Sequence, residues 1–250
     1  VIAGLPILPE GMEQAVFLFL LATSFAASFI TVAFGIGGGG LLLAVMATLV
    51  PVSALIPVHG LIQLGSNGGR VAMLLRHVAW TAFPGFAIGS LIGCVAGGMI
   101  LVELPANIVQ VGVGLFVIWT VFARPPRWLR NMPVVTGLIS SFLTMFFGAT
   151  GLFVASFTKS LELPRHAHVA THGMLMTLQH GLKVVVFGFL GFAFAEWGLF
   201  VVAMILLGLC GTFTGRLFLD RFDERLFRRA LDTLLVLISA RLILAGLGVF

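Results

Sequence analysis

The 250-residue chain is 60% hydrophobic and 9% charged, with a mean hydropathy of +1.16, against roughly 25% charged in an ordinary soluble domain. These figures exclude a soluble globule. Fourteen basic and nine acidic residues leave a net charge of +5, too sparse and scattered for a nucleic-acid footprint, so no nucleic-acid partner is expected and the bases are read as topology signals.

No charged residue occurs from Gln14 to Gly69, from His77 to Val102 or from Asn131 to Thr158. About 20 apolar residues cross a hydrocarbon core of ~30 Å as a helix, so these intervals predict an all-α polytopic membrane protein with about eight to ten segments in the bilayer. The first predicted element is a helical hairpin over 14–50, with arms 14–33 and 40–50 joined by Phe34-Gly-Ile-Gly-Gly-Gly-Gly40. Spans follow at 54–75, 79–101 and 106–123, then a basic linker at 124–132 that is expected to be cytoplasmic. A second hairpin covers 134–161, with arms 134–147 and 152–161 around Gly148-Ala-Thr-Gly151, and spans follow at 166–190, 197–218 and 226–248. The first apolar stretch is too long for a cleavable signal and has acidic flanks. Cys94 and Cys210 fall inside apolar segments and are read as small buried hydrophobes.

Sliding the chain on itself by 113 residues aligns Phe34, Gly35, Gly38, Pro51, Ala54, His59, Gly60 and Gly68 with Phe147, Gly148, Gly151, Pro164, Ala167, His172, Gly173 and Gly181, without a gap. Arg70 falls on Lys183, and further on Gly89 and Gly93 resemble Gly211 and Gly215. The chain therefore reads as a tandem duplication, 10–123 and 133–250. The small-xxx-small glycines favour close helix approach and are compatible with a homodimer.

An odd number of crossings per half, five or three, places the halves in opposite orientations. Arg70, Lys183 and Arg241 lie within spans. With both termini periplasmic, the loop bases all become cytoplasmic: Arg76, Arg124, Arg127, Arg130, Lys159, Arg165, Arg216, Arg221, Arg225, Arg228 and Arg229. Glu103 and Glu196 then fall outside. Four spans per half would split these bases across the membrane, so inverted repeats are favoured. Such repeats are typical of secondary transporters, whose substrates bind near the midplane where helices break.

Chemistry-bearing residues cluster in two places. The glycines at the hairpin tips cannot sustain a helix, and exposed N–H groups leading into a helix N-terminus form an anion site. Gly35, Gly37, Gly38 and Gly39, with Gly148, Thr150 and Gly151 in the second half, are the candidate donors. On the following helix, His59, Gln63, Ser66, Asn67 and Arg70 are spaced to share one face. His172, Met176, Gln179, His180 and Lys183 repeat that stripe. In inverted halves His59 lies near the depth of Lys183, and His172 near that of Arg70. Ionisable residues at membrane depth mark substrate or proton pathways, although Arg70 and Lys183 could instead snorkel to the interface. Arg241, which has no repeat counterpart, is expected to anchor or pair locally, and His77, His166 and His168 to be solvated at the cytoplasmic end. No acid occurs in a predicted span before Asp232, so the interior suits an oxyanion better than a cation. No metal, cofactor or catalytic residue is assigned.

The Gly-rich Phe34–Gly40 motif followed by a short apolar helix and Pro51, repeated as Phe147-Gly-Ala-Thr-Gly151 and Pro164 in a duplicated module, resembles the TauE/SafE sulfite exporter family of bacterial membrane transporters over about 12–248. The matching positions are Gly35, Gly37, Gly38 and Pro51, with Gly148, Gly151 and Pro164. The resemblance implies a location in the bacterial cytoplasmic membrane and export of a small sulfur-containing anion, sulfite or a C2–C3 organosulfonate. Family members often carry a Thr-Ser pair where this chain has Val58-His-Gly60 and Thr171-His-Gly173. Alternating access driven by the membrane potential, or coupled to protons, fits the residues. A proton-coupled importer of a small carboxylate or sulfonate, and a membrane protein whose histidines ligate a metal or haem, remain alternatives.

Overall fold

The structure, a computed structural model, describes residues 8–34, 37–100, 105–122, 131–148, 150–217 and 224–249. Its described elements are ten α-helices. The first five are α1 (Gln14–Phe34), α2 (Gly38–Leu49), α3 (Val52–Leu74), α4 (Phe83–Ile100) and α5 (Ala106–Phe122). The second five are α6 (Pro133–Phe147), α7 (Gly151–Ser160), α8 (Arg165–Phe189), α9 (Gly198–Leu217) and α10 (Glu224–Gly246). No strand occurs among the described residues. Short 3-10 turns, Trp80–Ala82 and Phe194–Trp197, lead into α4 and α9. Residues 124–130 of the predicted linker, and Gly35 of the first tip, lie outside the described residues.

Glycine and proline set the breaks. Gly37 (φ 109) and Gly148 (φ 77) turn the chain in the left-handed region at the two tips, where a side chain is strained. Val50 is extended, at φ −110 and ψ 142, because the proline after it disfavours the α region. Pro51 and Pro164 immediately precede α3 and α8.

Among the described residues, three helical stretches are long and apolar enough to cross a membrane: Gln14–Phe34, Trp80–Ile100 and Phe194–Leu217. Apolar side chains such as Ile88, Ile92 and Met99 on α4 and Val202, Leu206 and Phe213 on α9 point outward, as lipid-facing surfaces do. Cys210 is also exposed, a correction to its expected burial, whereas Cys94 is buried. The difference follows from the helix face each occupies. By contrast α2 is buried on all sides, from Leu41 to Ala47, the pattern of a helix at the centre of a bundle.

The helices pair across the two halves. α4 packs along α6 and α1 along α9, while α3 packs on α8 and α5 on α10. Glycines bring two of these pairs to backbone contact. A Cβ on Gly89 would overlap the carbonyl oxygen of Val134, and one on Gly93 that of Leu138. Likewise Gly211 abuts the carbonyl oxygen of Phe25, and Gly215 that of Phe29. In both pairs residue numbers rise together, so α4 runs parallel to α6 and α9 parallel to α1. The seams that suggested dimer contacts are thus filled within the chain. In α3 and α8 the order reverses: Gly60 meets Lys183, Gly68 meets Thr177 and Gly173 meets Val71. α5 and α10 are antiparallel in the same way, with Gly114 against Ile243 and Gly246 against Asn107.

α2 and α7 have 12 and 10 residues, about 18 and 15 Å at ~1.5 Å per residue, or half of a hydrocarbon core. α2 begins beside the middle of α3, where Gly39 abuts Gln63, and ends at its head. α7 begins where Thr150 meets Gln179 and Gly151 meets His172, near the middle of α8, and ends five residues before α8 starts.

Candidate functional site

The antiparallel α3–α8 pair and the two half-length helices enclose one buried polar layer. On α3, the His59 Nε2–H donates to the Gly39 carbonyl (3.1 Å), with the Gln63 amide 3.4 Å from the same nitrogen. Asn67 Nδ2 donates to the Gln63 carbonyl (2.8 Å), and Asn67 Oδ1 accepts from the Arg70 guanidinium (2.9 Å). The i, i+3 and i+4 spacing therefore links Gln63, Asn67 and Arg70 in one hydrogen-bonded ladder, with His59 turned to Gly39. Ser66 leaves it: its hydroxyl pairs with Ser28 of α1 (2.9 Å).

On α8, His172 lies 3.4 Å from the Gly151 carbonyl, and Gln179 donates to the Thr150 hydroxyl (2.6 Å) while accepting from Ser140 of α6 (3.0 Å). Lys183 reaches the Gly148 carbonyl at 3.5 Å. The rings of His59 and His180 meet edge to face across the helix pair, centroids 6.0 Å apart. Met176, the repeat counterpart of Gln63, packs against Gly151.

Both cations cross to the opposite helix and settle on its repeated glycine. Lys183 Cε occupies the space that a Cβ on Gly60 would take, at 2.5 Å, and Arg70 Cδ lies 3.6 Å from a Cβ on Gly173. This gives the duplicated His-Gly pair a physical reason. Gly60 opens a seat for Lys183 next to His59, whereas at Gly173, which follows His172, Arg70 lies at ordinary van der Waals distance. Neither cation snorkels: Arg70 is 1% and Lys183 0% exposed. Their hydrogen-bond partners are Asn67 and Gly148, and neither meets a carboxylate among the described residues. His59 Nδ1, His180 Nδ1 and Arg70 Nε are buried with no partner. An unpaired buried charge costs several kcal/mol, and an orphaned buried polar atom about 1–3 kcal/mol.

The tips meet this layer with Gly39, Gly148, Thr150 and Gly151, whereas Gly37 faces Leu231 of α10 and Gly38 abuts Ala27 of α1. His166 lies against His77 (5.6 Å) and His168 stacks near His172 (6.5 Å). These histidines are half-buried rather than solvated, because α3 and α8 close against each other there. Arg241 is exposed on α10. Sequence reasoning missed Ser28, Ser140 and the seating role of Gly60, since all act through contacts between helices distant in sequence.

The family model for the sulfite exporter TauE/SafE matches residues 20–242. The chain belongs to this family. No curated protein and no solved structure matches it. As a TauE/SafE member it is a multi-pass membrane protein of the sulfite and sulfonate exporter type. The two TauE/SafE helices that carry the polar layer, α3 and α8, are long but are absent from the helices apolar enough to qualify as spans. Their polarity is what the buried layer is made of.

Proposed function

We propose that this TauE/SafE chain exports sulfite or a C2–C3 organosulfonate from the bacterial cytoplasm by alternating access between inverted halves. The observation that carries the reading is the two fully buried cations, Arg70 on α3 and Lys183 on α8, with no buried acid among the described residues. A small oxyanion supplies the missing charge. The N-termini of α2 and α7 approach the same layer from opposite sides, and half-helix N-termini at membrane depth favour anionic groups. Complete burial of the layer fits an occluded state between outward and inward openings.

Inverted topology is supported by the antiparallel runs of the repeat partners α3 and α8, and α5 and α10. Repeats related by an axis along the membrane normal would run parallel. The ends also differ in charge. Glu10 and Trp197 share one recess with Pro51, with Glu196 beside it in sequence. His77 meets His166 at the other end, near Arg76 and Arg165. The positive-inside rule makes the second end cytoplasmic and both termini periplasmic. With the interior negative, export of one negative charge gains about 2.3 kcal/mol per 100 mV, and His59 and His172 provide groups able to couple a proton. A homodimer would pair through surfaces other than the filled glycine seams.

The test is flux of sulfite and sulfoacetate from proteoliposomes under an imposed potential, comparing native protein with His59→Ala and His172→Ala. Potential-driven flux, lost in both variants, is expected. Folded protein that moves neither anion would remove the sulfur-oxyanion substrate and leave a small carboxylate importer as the next reading.

A further inference from the structure

The repeated His-Gly pair and its cross-helix cation occur twice, and the two copies are well separated. Lys183 sits on Gly60, and Arg70 on Gly173. Ten residues separate Gly60 from Arg70 on α3, about 15 Å at ~1.5 Å per residue, and the Arg70 guanidinium reaches back to Asn67, seven residues from Gly60, which leaves about 10 Å along the helix pair between the two charged groups. A single sulfite ion does not bridge that length.

Each end holds the same parts. At one end, Lys183 joins His59 and His180, with the start of α2 at Gly39. Here two imidazole Nδ1 atoms are buried without partners and the ammonium makes one long hydrogen bond of 3.5 Å. At the other, Arg70 joins Asn67 and His172, with the start of α7 at Gly151. Here the guanidinium Nε is the orphan, in a side chain 1% exposed. The orphaned atoms are therefore distributed over both ends rather than converging at one central point.

We propose that the polar layer is two oxyanion-binding stations in series, one at Lys183 with His59 and His180 and one at Arg70 with His172 and Asn67, rather than one central site. The proposal rests on the anion-transport reading above and specifies its site. Each station neutralises one negative charge. Its orphaned groups complete their hydrogen bonding on the anion's oxygens: Arg70 Nε–H donates to an oxygen, and an imidazole Nδ1 accepts from a protonated oxygen or takes that proton itself. The anion passes from one half's station to the other's, and Gln63 and Gln179 lie between them on their respective helices. The stations are unequal in chemistry. The lysine station presents a compact ammonium between two imidazoles, whereas the arginine station presents a planar fork suited to two oxygens at once.

Equilibrium dialysis of the detergent-purified chain with radiolabelled sulfite is expected to give two ions bound per chain. Lys183→Gln and Arg70→Gln are each expected to leave one ion bound, and the charge-keeping Lys183→Arg to leave two. One ion per native chain, with sulfite flux still present in proteoliposomes, overturns the two stations and leaves the transport reading standing. Two acetate ions with no sulfite or sulfate bound uphold the stations and remove the sulfur substrate. Folded native chain that binds none of these three anions overturns both. Because the native stoichiometry decides between one station and two, a variant that fails to fold does not blunt the test.

Discussion

At the residue scale, the glycines of the first tip and of the polar layer separate stability from function. A methyl group on Gly38 would overlap the backbone carbonyl of Ala27, which cannot yield without moving α1. Gly38→Ala is expected to lose about 1–3 kcal/mol, as overpacked cores do, seen as a lower melting temperature in detergent. A methyl group on Gly60 meets the outer part of the long Lys183 side chain first, Cε at 2.5 Å and Nζ at 3.3 Å. Gly60→Ala is therefore expected to melt within a few degrees of the native protein yet lose tenfold or more of its sulfite flux, because the ammonium is displaced from its seat. Lys183 supplies the reverse case. Removing an uncompensated buried charge relieves desolvation, so Lys183→Met is expected to raise the melting temperature while abolishing flux. A lower melting temperature would mean that the ammonium is fully paired in the native state.

At the element scale, the bundle is held by exchanged pairs, with each half placing its first helix on the fourth helix of the other. Lipid provides little hydrophobic drive for helices to associate, so close packing through small residues carries the contact. Gly89 and Gly211 occupy matching places in the two seams, and both press on backbone carbonyls. Gly89→Val and Gly211→Val are expected to destabilise to a similar degree, by at least several degrees in a thermal melt. Gly198→Ala, with open space around its new methyl group, is expected to be silent. Unequal effects at Gly89 and Gly211 would mean that the seams do not share the stability between them. The existence of these helices was legible in the chain, because Gly37, Pro51, Gly148 and Pro164 interrupt apolar runs and leave few other ways to divide them. Their partners were not legible, since every apolar helix in a bilayer offers similar surface to every other.

At the scale of the whole molecule, alternating access depends on the two halves facing opposite ways. Starting from a chain with Cys94 and Cys210 replaced by alanine, cysteines at the exposed positions Glu10 and Glu196 are expected to react with a membrane-impermeant maleimide added to intact cells. Cysteines at the exposed positions Lys159 and Arg216 are expected to react only after permeabilisation. Labelling of all four from outside, or Glu10 and Glu196 on opposite sides, would overturn the proposed topology.

The chain alone carried the membrane class, the duplication, the family resemblance and the two polar stripes, because each is a matter of composition or spacing along one helix. His59, Gln63, Asn67 and Arg70 had to share a face whatever the fold. The tertiary structure decided what those stripes do together. It brought His59 to His180, set Lys183 on Gly60 and Arg70 on Gly173, and left both cations buried rather than snorkelling. It also turned Cys210 outward and drew Ser66 away to Ser28. These outcomes depend on the direction and register in which helices distant in sequence meet, for α3 and α8 more than 100 residues apart. Helical periodicity determines which side chains lie together on one helix, but it contains no information about the depth at which another helix crosses it.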